Sequence, residues 1–327
     1  MITEHAVGGW RAVTVTSDHL SLTVLPDRGA EVHALVDRAS GVDVLFHAPW
    51  GLAPPGAPAR EGSDGHAFLE GYAGGWQELF PSAEGPCTYR GHDIGYHGEV
   101  AAIPWQVNAD GALSLVCTID CRTVPFRLER RLTLVADLAQ LRVDERISNT
   151  GAEPWECTWG HHLVLGPPFV AAGARFEPAA GTIVTIPEMY EATARLEPGQ
   201  RSPWPNAQLR AGGTVDLGEL PGPESHSHDD TYLTDLSAGT LRVTNPALGR
   251  ALRLDWDAAV FKWLIAWMPF GGAEAMPLRG SYALGIEPWV ADGNLEHAVA
   301  TGQAIELAGG GSLETTLTAT IEGGPVA

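Results

Sequence analysis

Leu141-Arg142-Val143-Asp144-Glu145-Arg146-Ile147-Ser148 alternates apolar and polar side chains, the period of a strand with one buried and one wet face. That alternation belongs to antiparallel sheets, because strands covered on both faces read as unbroken apolar runs. The strand signal recurs outward in both directions. Upstream it covers residues 12–16, 20–25, 31–36, 42–46, 113–119 and 126–134; downstream it covers 155–159, 231–235, 240–244, 251–256, 261–267, 281–289 and 312–322. Over 126–134 the alternation is imperfect, since Arg130 and Arg131 are adjacent. Leu25-Pro26-Asp27-Arg28-Gly29 punctuates the early strands as a turn. Two Gly- and Pro-rich stretches, 49–75 and 171–223, read as irregular loop, and loops of that length are usually functional or mobile. No long segment keeps the helical period, and only 170–176 and 272–276 suggest a helical turn. No repeat and no linker composition divides the chain. The expectation is one all-β domain over residues 1–327, a large antiparallel β-sandwich of two packed sheets.

Composition bounds the function. Of 327 residues, 44% are hydrophobic, and the 39 Gly and 24 Pro suit a turn-rich β protein. Forty acidic residues against 20 basic ones give a formal charge of −20, and Lys262 is the one lysine. Such a field repels phosphate backbones and anionic bilayers, so neither nucleic acid nor membrane is an expected partner. No run reaches the ~18 apolar residues of a membrane span, and residues 1–10 lack a basic segment leading into an apolar one. Cys87, Cys117, Cys121 and Cys157 include no Cys-x-x-Cys pair and read as thiols in a reducing, cytoplasmic setting.

Four places concentrate residues that carry chemistry. They are Gly74-Gly75-Trp76-Gln77-Glu78-Leu79-Phe80-Pro81 with His92 and His97-Gly98-Glu99 downstream, Trp159-Gly160-His161-His162, His226-Ser227-His228-Asp229-Asp230, and Gly285-Ile286-Glu287-Pro288-Trp289. Trp offers a flat apolar face to the C–H side of a sugar ring, while carboxylates, imidazoles and amides bind its hydroxyls. An uncharged polyol also suits an acidic protein better than a phosphate does. The His-x-His with two following Asp is a candidate metal site, with His97 as a further ligand; a solvated loop is the plainer reading. No His-Glu-x-x-His, no phosphate-cradling Gly loop and no Gly-x-Ser-x-Gly elbow is present.

In order and context these places resemble the aldose 1-epimerase (galactose mutarotase-like) family over roughly residues 20–321. The resemblance rests on Asp27-Arg28-Gly29-Ala30, Phe80-Pro81-Ser82, His97-Gly98 with Pro104-Trp105, Ile147-Ser148-Asn149-Thr150-Gly151 before Trp159-Gly160-His161-His162, Asp229-x-x-Tyr232, and Ile286-Glu287-Pro288. It implies a β-supersandwich and a cofactor-independent, metal-free interconversion of the α and β anomers of a free, unphosphorylated aldose. By position in the motifs, Glu287 is the base at the C1 hydroxyl and His162 the acid at the ring oxygen. His97, counted with them, polarises a hydroxyl or the ring oxygen, and Asp229 holds ring hydroxyls. Strand alternation puts His161 and His162 on opposite faces, so one imidazole is expected in the site. Trp76, Trp159 and His161 are the remaining candidate sugar contacts. The chain departs from the family where an Arg is expected after the Phe80-Pro81-Ser82 segment, because Ala83 and Glu84 follow. The Arg expected shortly after His-Gly is also missing. Gln77 and Glu78 are the substitutes the sequence offers, with Arg90 a further candidate. The expected partner is a small carbohydrate, with a homodimer left open. A carbohydrate-binding protein without catalysis on the same scaffold, and a metal-dependent isomerase or lyase using His226, His228, Asp229 and His97, are the alternatives.

Overall fold

A computed structural model describes residues 1–188 and 191–323; Met189 and Tyr190, inside the stretch read as irregular, lie outside it. Two antiparallel sheets, of twelve and eight strands among the described residues, face each other. The eight-stranded sheet runs Arg175–Pro178, Thr240–Asn245, Arg250–Trp256, Ser312–Gly323, Gln140–Asn149, Phe126–Leu134, Ser114–Asp120 and Gln106–Ala109 in spatial order. The middle of the twelve-stranded sheet runs Trp76–Leu79, Gly160–Leu165, Leu284–Trp289, Trp263–Phe270 and Ser227–Thr234. Among the described residues no helix is long and apolar enough to cross a membrane.

Alternation explains the core. In Gln140–Asn149 the buried row is Leu141, Val143, Glu145, Ile147 and Asn149. In Phe126–Leu134 it is Phe126, Leu128, Arg130, Leu132 and Leu134. The alternation that looked broken at Arg130 is regular: Arg130 is an inward residue, 2% exposed, while Arg131 faces Asp110 outside. These rows, with Val13, Leu22, Trp76, Trp159, Leu252 and Leu317, form the apolar layer between the sheets.

A second apolar cluster covers the opposite face of the large sheet. It joins Phe46, Phe68, Tyr72, Val164, Tyr232, Ile265, Trp267 and Trp289. Its cover comes from residues 49–75, which hold the five-residue helix Ala67–Gly71. Neither 170–176 nor 272–276 forms a helix; the other α-helix is Leu295–Thr301, capped by the Asn294 side chain and by Gly302 at φ +71°. The stretch 171–223 carries short strands at Arg175–Pro178, Thr182–Thr185 and Arg201–Pro203, too brief to stand out among its prolines.

Candidate functional site

The second cluster encloses a cavity of about 660 Å³. Its floor is four adjacent strands, each contributing the side chains of one face. Gly160–Leu165 contributes His162, Leu284–Trp289 contributes Glu287 and Trp289, Trp263–Phe270 contributes Ile265 and Trp267, and Ser227–Thr234 contributes His228, Asp230 and Tyr232. Cross-strand pairing keeps them together, with Glu287 opposite Ile265, Ile265 opposite Tyr232 and Trp267 opposite Asp230. The walls are Phe68 and Tyr72 from the helical cover and Glu84, Tyr96 and His97 from the loops after Leu79.

His97 and Glu84 arrive together. The His97 amide donates to the Glu84 carbonyl (2.9 Å), and Gly98 sits so close to Phe80 that a Cβ there would lie 2.2 Å from its carbonyl oxygen. Gly98 also has φ +79°, so this crossing of two loops requires glycine. The His97 ring meets Phe68 edge-on at 4.6 Å and lies 5.4 Å from the His162 ring. His162 packs against Phe68 and Tyr72 and brings Nε2 to 3.7 Å from Glu287 Oε1. The ring of Trp289 is pinned by a hydrogen bond from its Nε1 to the His161 carbonyl (3.1 Å).

Burial dominates the electrostatics here. It pushes the Glu287 carboxyl well above the usual range, and the charges of Asp230 and Glu84 push it further. It pulls His162 down to about 3 and His97 well below an ordinary imidazole. Tyr72 is raised by burial and then by the charge of Glu287. The Tyr72 hydroxyl, His97 Nδ1 and His162 Nδ1 are buried and unbonded among the described residues, polar atoms of cavity-lining side chains that a ligand could satisfy.

His97, His162 and Glu287 thus line one cavity. Asp229 does not: its carboxylate accepts from the Arg195 and Leu196 amides (2.6 and 3.2 Å) and from Arg195 Nε (2.7 Å), and its neighbour Asp230 occupies the cavity face. The strand period decides between them.

Trp76, Glu78, Trp159 and His161 also lie off the cavity, in the layer between the sheets. Trp76 Nε1 donates to His161 Nδ1 (3.1 Å), Trp159 Nε1 donates to Glu78 Oε1, and Arg130 reaches Glu78 Oε2 at 3.3 Å and the Ala30 carbonyl. His161 Nε2 and Glu145 Oε2 approach to 3.2 Å without hydrogen-bond alignment. Gln77 is turned away as well, donating to Glu31 Oε2 (3.1 Å) and the Gly74 carbonyl (2.6 Å). Arg90 is bound to Glu156 (2.6 Å) at the surface.

The residues of the His-x-His segment diverge. His226 is exposed against Glu274 (3.1 Å), Asp229 is held by Arg195, and His228 sits between Glu191 (Nδ1 to Oε2, 3.0 Å) and Trp267, whose Nε1 donates to His228 Nε2 (2.8 Å). Among the described residues, the one set with ligand atoms grouped closely enough for a metal is Glu78, Glu145 and His161, within 4.8 Å of one another. Arg130 already supplies a positive charge there. Burial raises Glu78 to about 8 and Glu145 to about 7, so protons balance the remaining charge. Sequence reasoning missed Phe68, Tyr72 and Tyr96 because they sit in loop-like sequence. It weighed Glu84 only as the place where an Arg was absent.

Two facing sheets, with a cavity on the outer face of the larger one, define a galactose mutarotase-like fold. Solved structures agree with that class. A candidate aldose 1-epimerase from Klebsiella pneumoniae aligns over 98% of this chain and 82% of its own at 18% identity and a TM-score of 0.74. A galactose mutarotase related enzyme from Lactobacillus acidophilus aligns over 96% and 98% at 16% identity and 0.65. A galactose mutarotase-like protein from Lactobacillus casei aligns over 95% and 100% at 14% identity and 0.62. At these identities the likeness is one of fold. The chain itself belongs to the family described as a domain of unknown function, DUF4432, whose profile matches residues 7–321. No curated protein matches it.

Proposed function

We propose that the cavity catalyses interconversion of the anomers of a free, unphosphorylated aldose. The observation that carries this reading is the buried pair His162 Nε2 and Glu287 Oε1, 3.7 Å apart on neighbouring strands with Trp and Tyr faces around them. A hemiacetal presents two oxygens on one carbon, and a pair this close addresses both at once.

In ring opening, the Glu287 carboxylate takes the O1 proton while the His162 imidazolium gives its proton to the ring oxygen. The C1–O5 bond breaks as C1=O1 forms. Rotation about C1–C2 exposes the other carbonyl face. In closure, neutral His162 takes the C5 hydroxyl proton as that oxygen attacks C1, and the Glu287 carboxyl protonates O1. The pair carries one proton throughout. Burial favours the uncharged form of each group, so the empty site rests as carboxyl and neutral imidazole, the state that closes the ring. Sugar hydroxyls that hydrogen-bond the charged forms reduce the cost of the ring-opening state. His97 is positioned to hold a hydroxyl beside them, and Trp267 and Trp289 offer apolar faces to the ring.

The test is NMR exchange between α and β signals across a panel of free aldoses, with the wild type and Glu287→Gln. Removing a general acid–base group costs about 10²- to 10⁴-fold, so the variant should lose at least that much while still binding the sugar. Undiminished exchange in the variant, or saturable binding by the wild type with no acceleration, defeats the proposal.

A further inference from the structure

Among its described residues the cavity lining has no Arg or Lys, yet it includes Glu84, Glu188, Glu191, Asp230, Glu287 and Asp292. Some of these are matched by histidines, Glu191 to His228 (3.0 Å) and Asp292 to His297 (3.0 Å). Glu84 and Glu287, which line it with His97 and His162, have no cationic side chain of fixed charge beside them among the described residues. Glu84 Oε2 accepts from the Tyr232 hydroxyl (2.7 Å), and Glu84 Oε1 takes no hydrogen bond from a described residue. The lining offers an incoming sugar acceptors and negative charge, together with aromatic faces that also favour cations.

We propose that the ligand of this cavity is an amino sugar, a free aldose whose ammonium group pairs with Glu84. The inference rests on the anomer-exchange reading for the aldose part and adds the charge. An ammonium supplies the donors and the positive charge that this lining lacks, and a charge-assisted hydrogen bond is among the stronger polar contacts available. A phosphate, sulfate or carboxylate on the sugar would instead sit against Glu84 and Glu287 with no guanidinium or ammonium to receive it. Glu84 is also held up by burial, so it carries a proton more readily than an exposed carboxylate.

Calorimetry with the full chain tests this. Probes are glucosamine, 3-amino-3-deoxyglucose, 6-amino-6-deoxyglucose and galactosamine, each against its parent hexose, with N-acetylglucosamine, glucose 6-phosphate and glucuronate as controls. At least one free amine should bind tenfold or more tightly than its parent. N-acetylation should remove that preference, and both anions should bind more weakly than glucose. In Glu84→Gln the amine-to-parent ratio should fall to near one. Should that variant fail to fold, the wild-type affinities still decide: no free amine bound more tightly than its parent hexose overturns the inference. Exchange of neutral aldoses with no amine preference overturns the inference and leaves the anomer reading standing. Amine-selective binding without any accelerated exchange supports the inference and overturns that reading. No heat with any sugar overturns both.

Discussion

Stability is expected to fall above pH 6.5, and replacing Glu78 by Gln should flatten that fall. Four carboxyls, Glu78, Glu84, Glu145 and Glu287, are held above their usual range in the folded chain by burial, Glu78 at about 8 and Glu145 at about 7. Three imidazoles, His97, His161 and His162, are held below theirs by burial, His161 at about 4 and His162 at about 3. Between the ordinary carboxylate value of 4.5 and the ordinary imidazole value of 6.5, the folded chain keeps carboxyl protons that the unfolded chain has lost. It also lacks imidazole protons that the unfolded chain holds. The two effects oppose each other, so stability changes less steeply there than above pH 6.5. Above pH 6.5 the unfolded imidazoles are neutral too, so the opposing effect is gone, and His47, raised by its hydrogen bond to Asp43, adds to the carboxyl term. The folded state then binds more protons, so stability falls as pH rises. From pH 6.5 to 8 Glu78 alone accounts for about 2 kcal/mol, at about 1.4 kcal/mol per proton per pH unit. Urea unfolding of wild type and Glu78→Gln at several pH values across that range gives the two slopes. The absolute stability of the variant changes for other reasons, since Trp159 and Arg130 lose a partner, but the slope isolates the proton. A decline in Glu78→Gln as steep as in the wild type would refute the reasoning.

Anomer exchange, corrected for the uncatalysed rate, should be flat through pH 6–7, because the His162–Glu287 pair keeps its single proton from about pH 3 upward; a limb near 6.5 that disappears in His162→Gln would contradict this. Gly285→Ala places a Cβ 2.5 Å from Glu287 Oε1 and 2.9 Å from Trp267 Cβ. Displacing a reacting group by about 1 Å costs about 100-fold, so exchange should fall by that order, with about 1–3 kcal/mol of stability lost to the crowding at Trp267, and near wild-type exchange would place the reacting carboxyl elsewhere. Arg130→Met removes the guanidinium from the buried layer, and breaking a buried ion pair by one partner costs about 3–5 kcal/mol. Chemical unfolding should show a loss of that size, larger at pH 8 than at pH 6, and an equal loss at both would mean that the carboxyls do not depend on Arg130.

How much of this was legible in the sequence turns on the strand period. Alternation separated His161 from His162, and the structure puts them on opposite faces of one strand. The same rule, applied to Ser227–Thr234, separates Asp229 from Asp230, but motif likeness alone favoured the wrong face for a cavity residue. Alternation says which residues share a face; it does not say which face carries the cavity. That depends on Phe68 and Tyr72, whose loop-like sequence hides a short helix folded over the sheet. For the same reason Trp76, Glu78 and Trp159 looked like sugar contacts, since buried polar and aromatic residues read alike in a core and in a site.

Arg130 and Glu145 are cross-strand partners in the eight-stranded sheet, and Glu78 and His161 are cross-strand partners in the other. Each pair occupies inward positions of largely apolar rows, so the sandwich brings two polar pairs face to face at one place in its core. His161 belongs to that quartet through its side chain, while its carbonyl holds Trp289 and the next residue, His162, enters the cavity. The strand Gly160–Leu165 is therefore fixed from behind by ionisable groups while it presents an acid–base group in front. A buried polar cluster is a weak source of stability compared with apolar packing of the same volume, but its partners are far more particular about position. A one-residue slip that brought Gly160 to the place of His161 would leave Trp76, Glu78 and Glu145 without the imidazole they face. The register that places His162 opposite Glu287 is thus specified in the core, by residues that do not touch the ligand.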